Sequence, residues 1–296
     1  MAKFVLACDG GGIRGAASAE FLRLLEKDTG KSVYDMFDFF AGTSTGGIIA
    51  VGIGVLKMKA AKLAELYNYQ NGNAIMNKTI WDRRFGMIQV KPKYDGKGKR
   101  RILKKYFGDA KFGSAKKPTM VVTYDVEKRV SAVLKSFKQT SLSVVEAADA
   151  TSAAPTYFPT VKCGPQWLID GGVIANNPSM CAYAEAFKRW KGTDEDIRVV
   201  NIGTGTRTRK IDGKESRDWG AIGWLKHDLL GVTMDETTVE YQMKTILDKK
   251  YLRINSELLE VSDDMDDCSR GNIKNLKVLG EEWYRRFGKQ VKQLLS

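Results

Sequence analysis

The sequence predicts a single α/β domain over residues 1–296, with a largely parallel central sheet, helices on both faces and a mainly helical C-terminal part. Two strand-turn-helix units stand in succession at the N terminus, each with a short apolar run that ends in a glycine-rich loop. Further short apolar runs recur as far as Ile202, interleaved with helical patterns. The composition, 43% apolar and 28% charged in 296 residues, is that of an ordinary globular chain long enough to bury a large core, and no Pro- or Ser-rich linker divides it.

Taken in order, Phe4 to Cys8 reads as a strand ended by Asp9 and three glycines, and Ala16 to Lys27 as a helix with Phe21, Leu22, Leu24 and Leu25 toward the core. Phe37 to Ala41 is the second strand, and Ile48 to Leu56 the helix after the next glycine loop. Lys97 to Phe107 sets Lys99, Arg100, Arg101, Lys104 and Lys105 against Ile102, Leu103, Tyr106 and Phe107, which makes a basic amphipathic helix with a packed side and a basic side free to meet anionic lipid. Met120 to Tyr124 and Val130 to Lys135 read as strands, Ser143 to Ala150 as a helix, and Trp167 to Ile169 as a short strand ending in Asp170-Gly171-Gly172. Asn177 and Pro178 then cap a helix with Met180, Tyr183, Phe187 and Trp190 on one face. Ile197 to Ile202 is a further buried strand, and the motif-bearing part, about 3–206, gives way to a mainly helical tail over 207–296.

The 48 Lys and Arg against 35 Asp and Glu leave a net charge of +13, which favours a polyanionic partner. No zinc-finger or RNA-recognition signature accompanies the charge, so an anionic membrane face is expected ahead of nucleic acid. The longest uncharged stretch, Phe39 to Leu56, holds five glycines and is too broken to span a bilayer; with neither a secretory leader nor a lipidation signal visible, a cytoplasmic protein with peripheral membrane association is expected. Four scattered cysteines read as reduced thiols, and one histidine, His227, leaves little for a zinc site. The run Asp263, Asp264, Asp266, Asp267 lacks the central glycine and the twelfth-position acid of a calcium loop, and reads as a solvated acidic turn.

Three loops can carry chemistry. Gly42-Thr43-Ser44-Thr45-Gly46 is a G-x-S-x-G between a strand and a helix, where a sharp turn lifts the serine hydroxyl clear of the sheet and the helix N terminus offers its unpaired amides to developing negative charge. Asp9 to Gly15 contains G-x-G-x-x-G after a strand, which is the dinucleotide fingerprint, with Asp38 as a candidate ribose acid. The same nest of amides could instead hold a tetrahedral oxyanion, or form a tight turn without a ligand. Asp170-Gly171-Gly172 is either an Asp-Gly turn or a carboxylate delivered to the sheet edge that carries Ser44.

The D-G-G-G-x-R-G, G-T-S-T-G-G and D-G-G elements, in this order and at strand ends, together resemble the patatin-like phospholipase family. Thr151 to Pro159, Val173 to Pro178 and Gly203 to Gly205 resemble its linking segments, so the likeness spans about residues 3–206. The resemblance implies a calcium-independent lipid acyl hydrolase acting on membrane phospholipid or another lipid ester, with no cofactor and no metal. By it Ser44 is the nucleophile, Asp170 the general base, and Gly10, Gly11 and Gly12 the oxyanion hole with Arg14 beside them. Some bacterial members are switched on by cyclic nucleotides in antiphage defence; no motif here reads as a nucleotide-activator site or a homo-oligomer contact.

Alternatives stay open at this point. Ser44, Asp170 and His227 run in the order of an α/β-hydrolase triad, although His227 lies in a helical pattern rather than on a loop. Trp81, Phe85, Met87 and Ile88 form a second candidate membrane patch or a piece of core. A nucleotide-binding oxidoreductase would use the first glycine loop and leave Ser44 and Asp170 unexplained, and a catalytically silent binding module would keep the fold alone.

Overall fold

Along the first strand, Val5 and Ala7 face one core and Leu6 and Cys8 another, because successive side chains of a strand point to opposite sides of the sheet. Both sets are fully buried, so this strand runs through the middle of the molecule with helices over each face. The computed structural model describes residues 2–76, 91–190, 196–206, 210–226, 229–234 and 236–296. In chain order its elements are β1 (Ala2–Cys8), α1 (Gly15–Thr29), α2 (Val33–Met36), β2 (Phe39–Thr43), α3 (Thr45–Gly54), α4 (Ala60–Ala64), α5 (Tyr69–Ile75), α6 (Lys97–Phe107), β3 (Thr119–Asp125) and β4 (Val130–Lys135). There follow α7 (Val144–Thr151), β5 (Val161–Cys163), β6 (Gln166–Asp170), α8 (Gly172–Ala175), α9 (Ser179–Trp190), β7 (Asp196–Ile202), α10 (Ala221–Lys226), α11 (Leu229–Thr233), α12 (Thr237–Leu247), β8 (Tyr251–Ile254) and α13 (Arg270–Leu294).

The sheet order is β5-β6-β3-β2-β1-β7-β8, with β4 also on β3. The pairs from β3 through β8 on this path are all parallel, whereas β4, β6 and β5 join antiparallel. The expected mostly parallel α/β sheet is therefore present. Phe21, Leu22 and Leu25 of α1 pack in the larger core with α3 and with Leu276, Leu279 and Trp283 of α13; α9 and α12 cover the opposite face through Ala182, Ala186 and Met243. α7 starts on a reciprocal cap in which the Ser143 hydroxyl accepts the Glu146 N–H (3.1 Å) and the Glu146 carboxylate accepts the Ser143 N–H (2.7 Å).

The C-terminal part is mainly helical, as expected, and adds one strand: β8 pairs in parallel with β7, Val199 opposite Tyr251, and so completes one edge of the sheet. Its four residues are too short and too mixed to stand out in a helical pattern. One expectation needs correction: the strand bearing Asp170 is antiparallel. β3 continues past the end of β2, whose Thr43 pairs with Val122, and the overhang Thr123 to Asp125 receives Asp170 to Leu168 of β6. Asp170 thus reaches the level of Ser44 from the opposite direction to the one expected.

Candidate active site

Ser44 occupies the single residue between β2 and α3, at φ 55° and ψ −122°. A non-glycine residue held in this region stores of order 1–3 kcal/mol of strain, which only the surrounding structure can maintain. Two glycines make room for it: a Cβ on Gly42 would overlap the Gly46 carbonyl, and a Cβ on Gly46 would overlap the Cys8 carbonyl at the end of β1. Thr151 fixes the turn from below, its Oγ1 accepting the Ser44 N–H (3.0 Å) and donating to the Val122 carbonyl (2.6 Å). α3 begins immediately after Ser44 without a side-chain cap, so the positive end of its dipole points at the serine.

Asp170 is buried at the C-terminal end of β6. Its Oδ1 accepts the Gly172 N–H (2.7 Å), while its buried Oδ2 has no donor in full hydrogen-bonding geometry. Burial pushes its carboxyl up to about 6; the neighbouring Ser44 hydroxyl, the Gly172 N–H and the Lys99 charge each pull back toward the ionised form. The carboxyl is therefore mostly ionised at neutral pH, with one oxygen available to take a proton.

The glycine loop lies against both. Gly10 donates its N–H to the Asn176 carbonyl (3.1 Å) and accepts from Thr204 Oγ1 (2.6 Å), so the Gly10 amide expected in the oxyanion hole is already committed. Among the described residues the amides of Gly11 and Gly12 donate to no protein acceptor. Gly12 has φ 60° and a Cβ there would overlap the Met265 carbonyl, which itself accepts the Ile13 N–H (2.9 Å). Arg14 is buried and braces the loop, its Nε donating to the Gly11 carbonyl (3.2 Å) and Nη1 to the Gly205 carbonyl (3.3 Å).

Ser44, Asp170 and Gly12 line a cleft of about 780 Å³, part of it continuous with solvent. Its remaining walls are mainly apolar, with Ile13, Ile48, Leu66, Leu103 and Phe158 among them. Lys99 also lines it. Expected on the free basic face of its helix, Lys99 instead turns inward, 3% exposed, its Nζ donating to the carbonyls of Asp149 (3.0 Å) and Ser152 (2.8 Å) and pairing with Asp149 Oδ1 (3.0 Å). Arg100, Arg101, Lys104 and Lys105 do face solvent.

Asp38, the candidate ribose acid, precedes β2 and accepts the Phe4 N–H (3.0 Å), which places it at the sheet edge away from the glycine loop. The acidic turn is not free in solvent either: Asp266 accepts from the Tyr94 hydroxyl (2.5 Å) and pairs with Lys93. His227 and the Trp81 to Ile88 patch lie outside the described residues. Thr151, Asn176 and Thr204, which hold the loops, were not singled out in the sequence; a threonine or asparagine inside the linking segments was the available signal.

An elbow serine, a buried carboxyl and two uncommitted amides at the head of an apolar cleft define a lipid-hydrolase type of site. The chain belongs to the patatin-like phospholipase family, whose model matches residues 6–183. It is 30% identical over 336 aligned positions to patatin-like protein 2 of Oryza sativa subsp. indica, covering 94% of this chain and 82% of that one. It is also 29% identical to a cGAMP-activated phospholipase of Pseudomonas aeruginosa, covering 95% of this chain and 88% of that one. The crystal structure of VipD from Legionella pneumophila aligns with TM-score 0.46 at 11% identity, over 95% of this chain and 67% of that one.

Proposed function

We propose that this lipid hydrolase cleaves fatty-acyl ester bonds of membrane phospholipids through an acyl-enzyme on Ser44, with Asp170 as general base. The observation that carries the reading is Ser44 strained upright beside a buried, mostly ionised carboxyl with an open oxygen. In the first step Ser44 Oγ attacks the ester carbonyl while its proton passes to Asp170. The carbonyl oxygen takes up negative charge within reach of the Gly11 and Gly12 amides and the first amides of α3; Gly10 serves as the close-packed hinge that aims them. Asp170 then returns the proton to the leaving alcohol, and the lysolipid departs. Water deprotonated by Asp170 attacks the acyl-enzyme, and the fatty acid leaves from the apolar cleft. The chemistry as written draws on no cofactor and no metal.

The four exposed basic residues of α6 support peripheral contact with an anionic membrane, because Leu103 and Lys99 on the inner side of the same helix line the cleft. No described helix is long and apolar enough to cross a membrane. The cGAMP-activated relative favours one variant of this reading, the same hydrolase under nucleotide control. Against the oxidoreductase stands Asp38, at the wrong edge of the sheet for a ribose.

The test is lipid hydrolysis by wild type and Ser44→Ala with products resolved by mass, beside labelling by a fluorophosphonate, each with and without added cGAMP. Fatty acid release and single-site labelling that both vanish in Ser44→Ala are expected. Labelling that survives the substitution would remove the assignment, and a wild type that neither labels nor hydrolyses would leave a silent binding module.

A further inference from the structure

The glycine loop and the Asp170 turn are joined by a buried ionic group that the reaction scheme does not use. Arg253 of β8 is 8% exposed. Its Nη1 donates to Asp9 Oδ2 (2.7 Å) and to Asn201 Oδ1, its Nη2 pairs with Glu236, and its Nε lies 3.0 Å from Glu240. Asp9, which directly precedes Gly10, is 1% exposed and accepts a second bond from Asn201 Nδ2 (2.6 Å). Glu236, just ahead of α12, accepts from Asn176 Nδ2, and Asn176 closes the Asp170 turn. Asn176 in turn meets Gly10 twice, accepting its N–H (3.1 Å) and donating to its carbonyl (3.4 Å). The path Asp9, Arg253, Glu236, Asn176, Gly10 is a closed ring through three segments distant in sequence.

A buried ion pair is a poor way to gain stability, since apolar residues of the same volume commonly do as well. What a guanidinium does supply is direction: its planar donors fix the angles of the acceptors around it. We propose that Arg253 is a positioning residue, which through Asp9 on one side and Glu236 and Asn176 on the other sets the Gly11 and Gly12 amides in register with Asp170. The geometry stands by itself; its catalytic consequence rests on the hydrolase reading.

Both carboxyls of the ring have both oxygens engaged: Asp9 by Arg253 and Asn201, Glu236 by Arg253 and Asn176. Burial pushes both carboxyls up, and Arg253 pulls both back toward the ionised form. Glu240 and Tyr251 face the same guanidinium.

The experiment compares wild type, Arg253→Met and Arg253→Lys, with Leu279→Ala on α13 as a stability control outside the ring. Hydrogen exchange is read in the peptides around Asp9 to Gly15 and Asp170 to Pro178, and kcat and KM for a micellar phospholipid are read at the same pH. Arg253→Met should exchange about tenfold faster in both peptides and lose kcat about a hundredfold with KM within about twofold, Arg253→Lys recovering part of each. Leu279→Ala should melt lower and move neither readout. A folded Arg253→Met with wild-type exchange in both peptides overturns the inference. If Arg253→Met does not fold, Arg253→Lys decides: a compact ammonium cannot hold both carboxyls in the guanidinium's plane, so both peptides should exchange faster than in wild type, and wild-type exchange in both overturns the inference. Because exchange needs no turnover, a wild type without hydrolysis would sink the hydrolase reading alone and leave this comparison standing.

Discussion

In the proposed dyad, Asp170 and Ser44 divide the work of the site by environment. Buried, with one oxygen engaged and one open, the carboxyl is lifted to about 6, which brings an ordinarily weak base closer to neutrality while keeping it ionised at pH 7. As the proposed base Asp170 must be ionised, so kcat/KM should be level near pH 7 and fall about tenfold per unit well below pH 6, a profile read directly from initial rates. The stability effect has the opposite sign. A carboxyl whose value is raised by folding contributes stability that is full below its unfolded value and lost as pH rises through about 6, so at pH 7 the charge is a burden. Asp170→Asn, which keeps an acceptor for the Gly172 N–H, should accordingly melt no lower than the wild type at pH 7. Ser44 and Asp170 were legible in the sequence because the constraints on them are local: a glycine two places either side of the serine, and a strand end before Asp-Gly-Gly. Arg253, Glu236 and Lys99 were not, because what gives each its meaning is a partner tens to hundreds of positions away, and an isolated cation in a basic chain carries no mark of burial.

The helix α6 joins the cleft to the surface. Its inner side supplies Leu103 and Lys99 to the cleft, and its outer side presents Arg100, Arg101, Lys104 and Lys105. Hydrolysis of anionic vesicles should exceed that of zwitterionic ones, and replacing these four by glutamine should remove most of the difference. The advantage should shrink with added salt as the screening length shortens to about 8 Å and below. Equal rates on both vesicles at all salts would show that the charge serves another purpose. The periodicity of this helix was readable, but not the inward turn of Lys99, since a helix pattern assigns a face from hydrophobicity and three carbonyl and carboxylate oxygens inside the fold override it. The direction of β6 was hidden for a similar reason. Strand pattern fixes which residues are buried, whereas the overhang of β3 that receives β6 exists only once the sheet is assembled.

Across the whole molecule, the C-terminal part is a member of the core. α13 lies along α1, Trp283 is 2% exposed and donates its indole N–H to Ser256 Oγ (2.8 Å), and β8 extends the sheet. Trp283→Ala should cost about 3–5 kcal/mol in a denaturant titration, as expected for loss of a large buried aromatic. A cost under 1 kcal/mol would mean that the tail packs loosely on a core that stands without it. The tail read mainly as helix in the sequence because β8 offers only four residues, and its role beneath the glycine loop comes from side chains that converge from β1, β7, β8 and α12.

The central claim, a dyad in which Asp170 is the base, is tested most directly by phospholipid hydrolysis in Asp170→Asn beside His227→Ala, with matched circular dichroism and melting curves. The dyad predicts that Asp170→Asn loses about 10²–10⁴-fold or more in activity, the range for a general base, while His227→Ala stays near wild type. A folded His227→Ala as inactive as Ser44→Ala, beside an Asp170→Asn that keeps much of its activity, would contradict it, because members of one catalytic unit fail together.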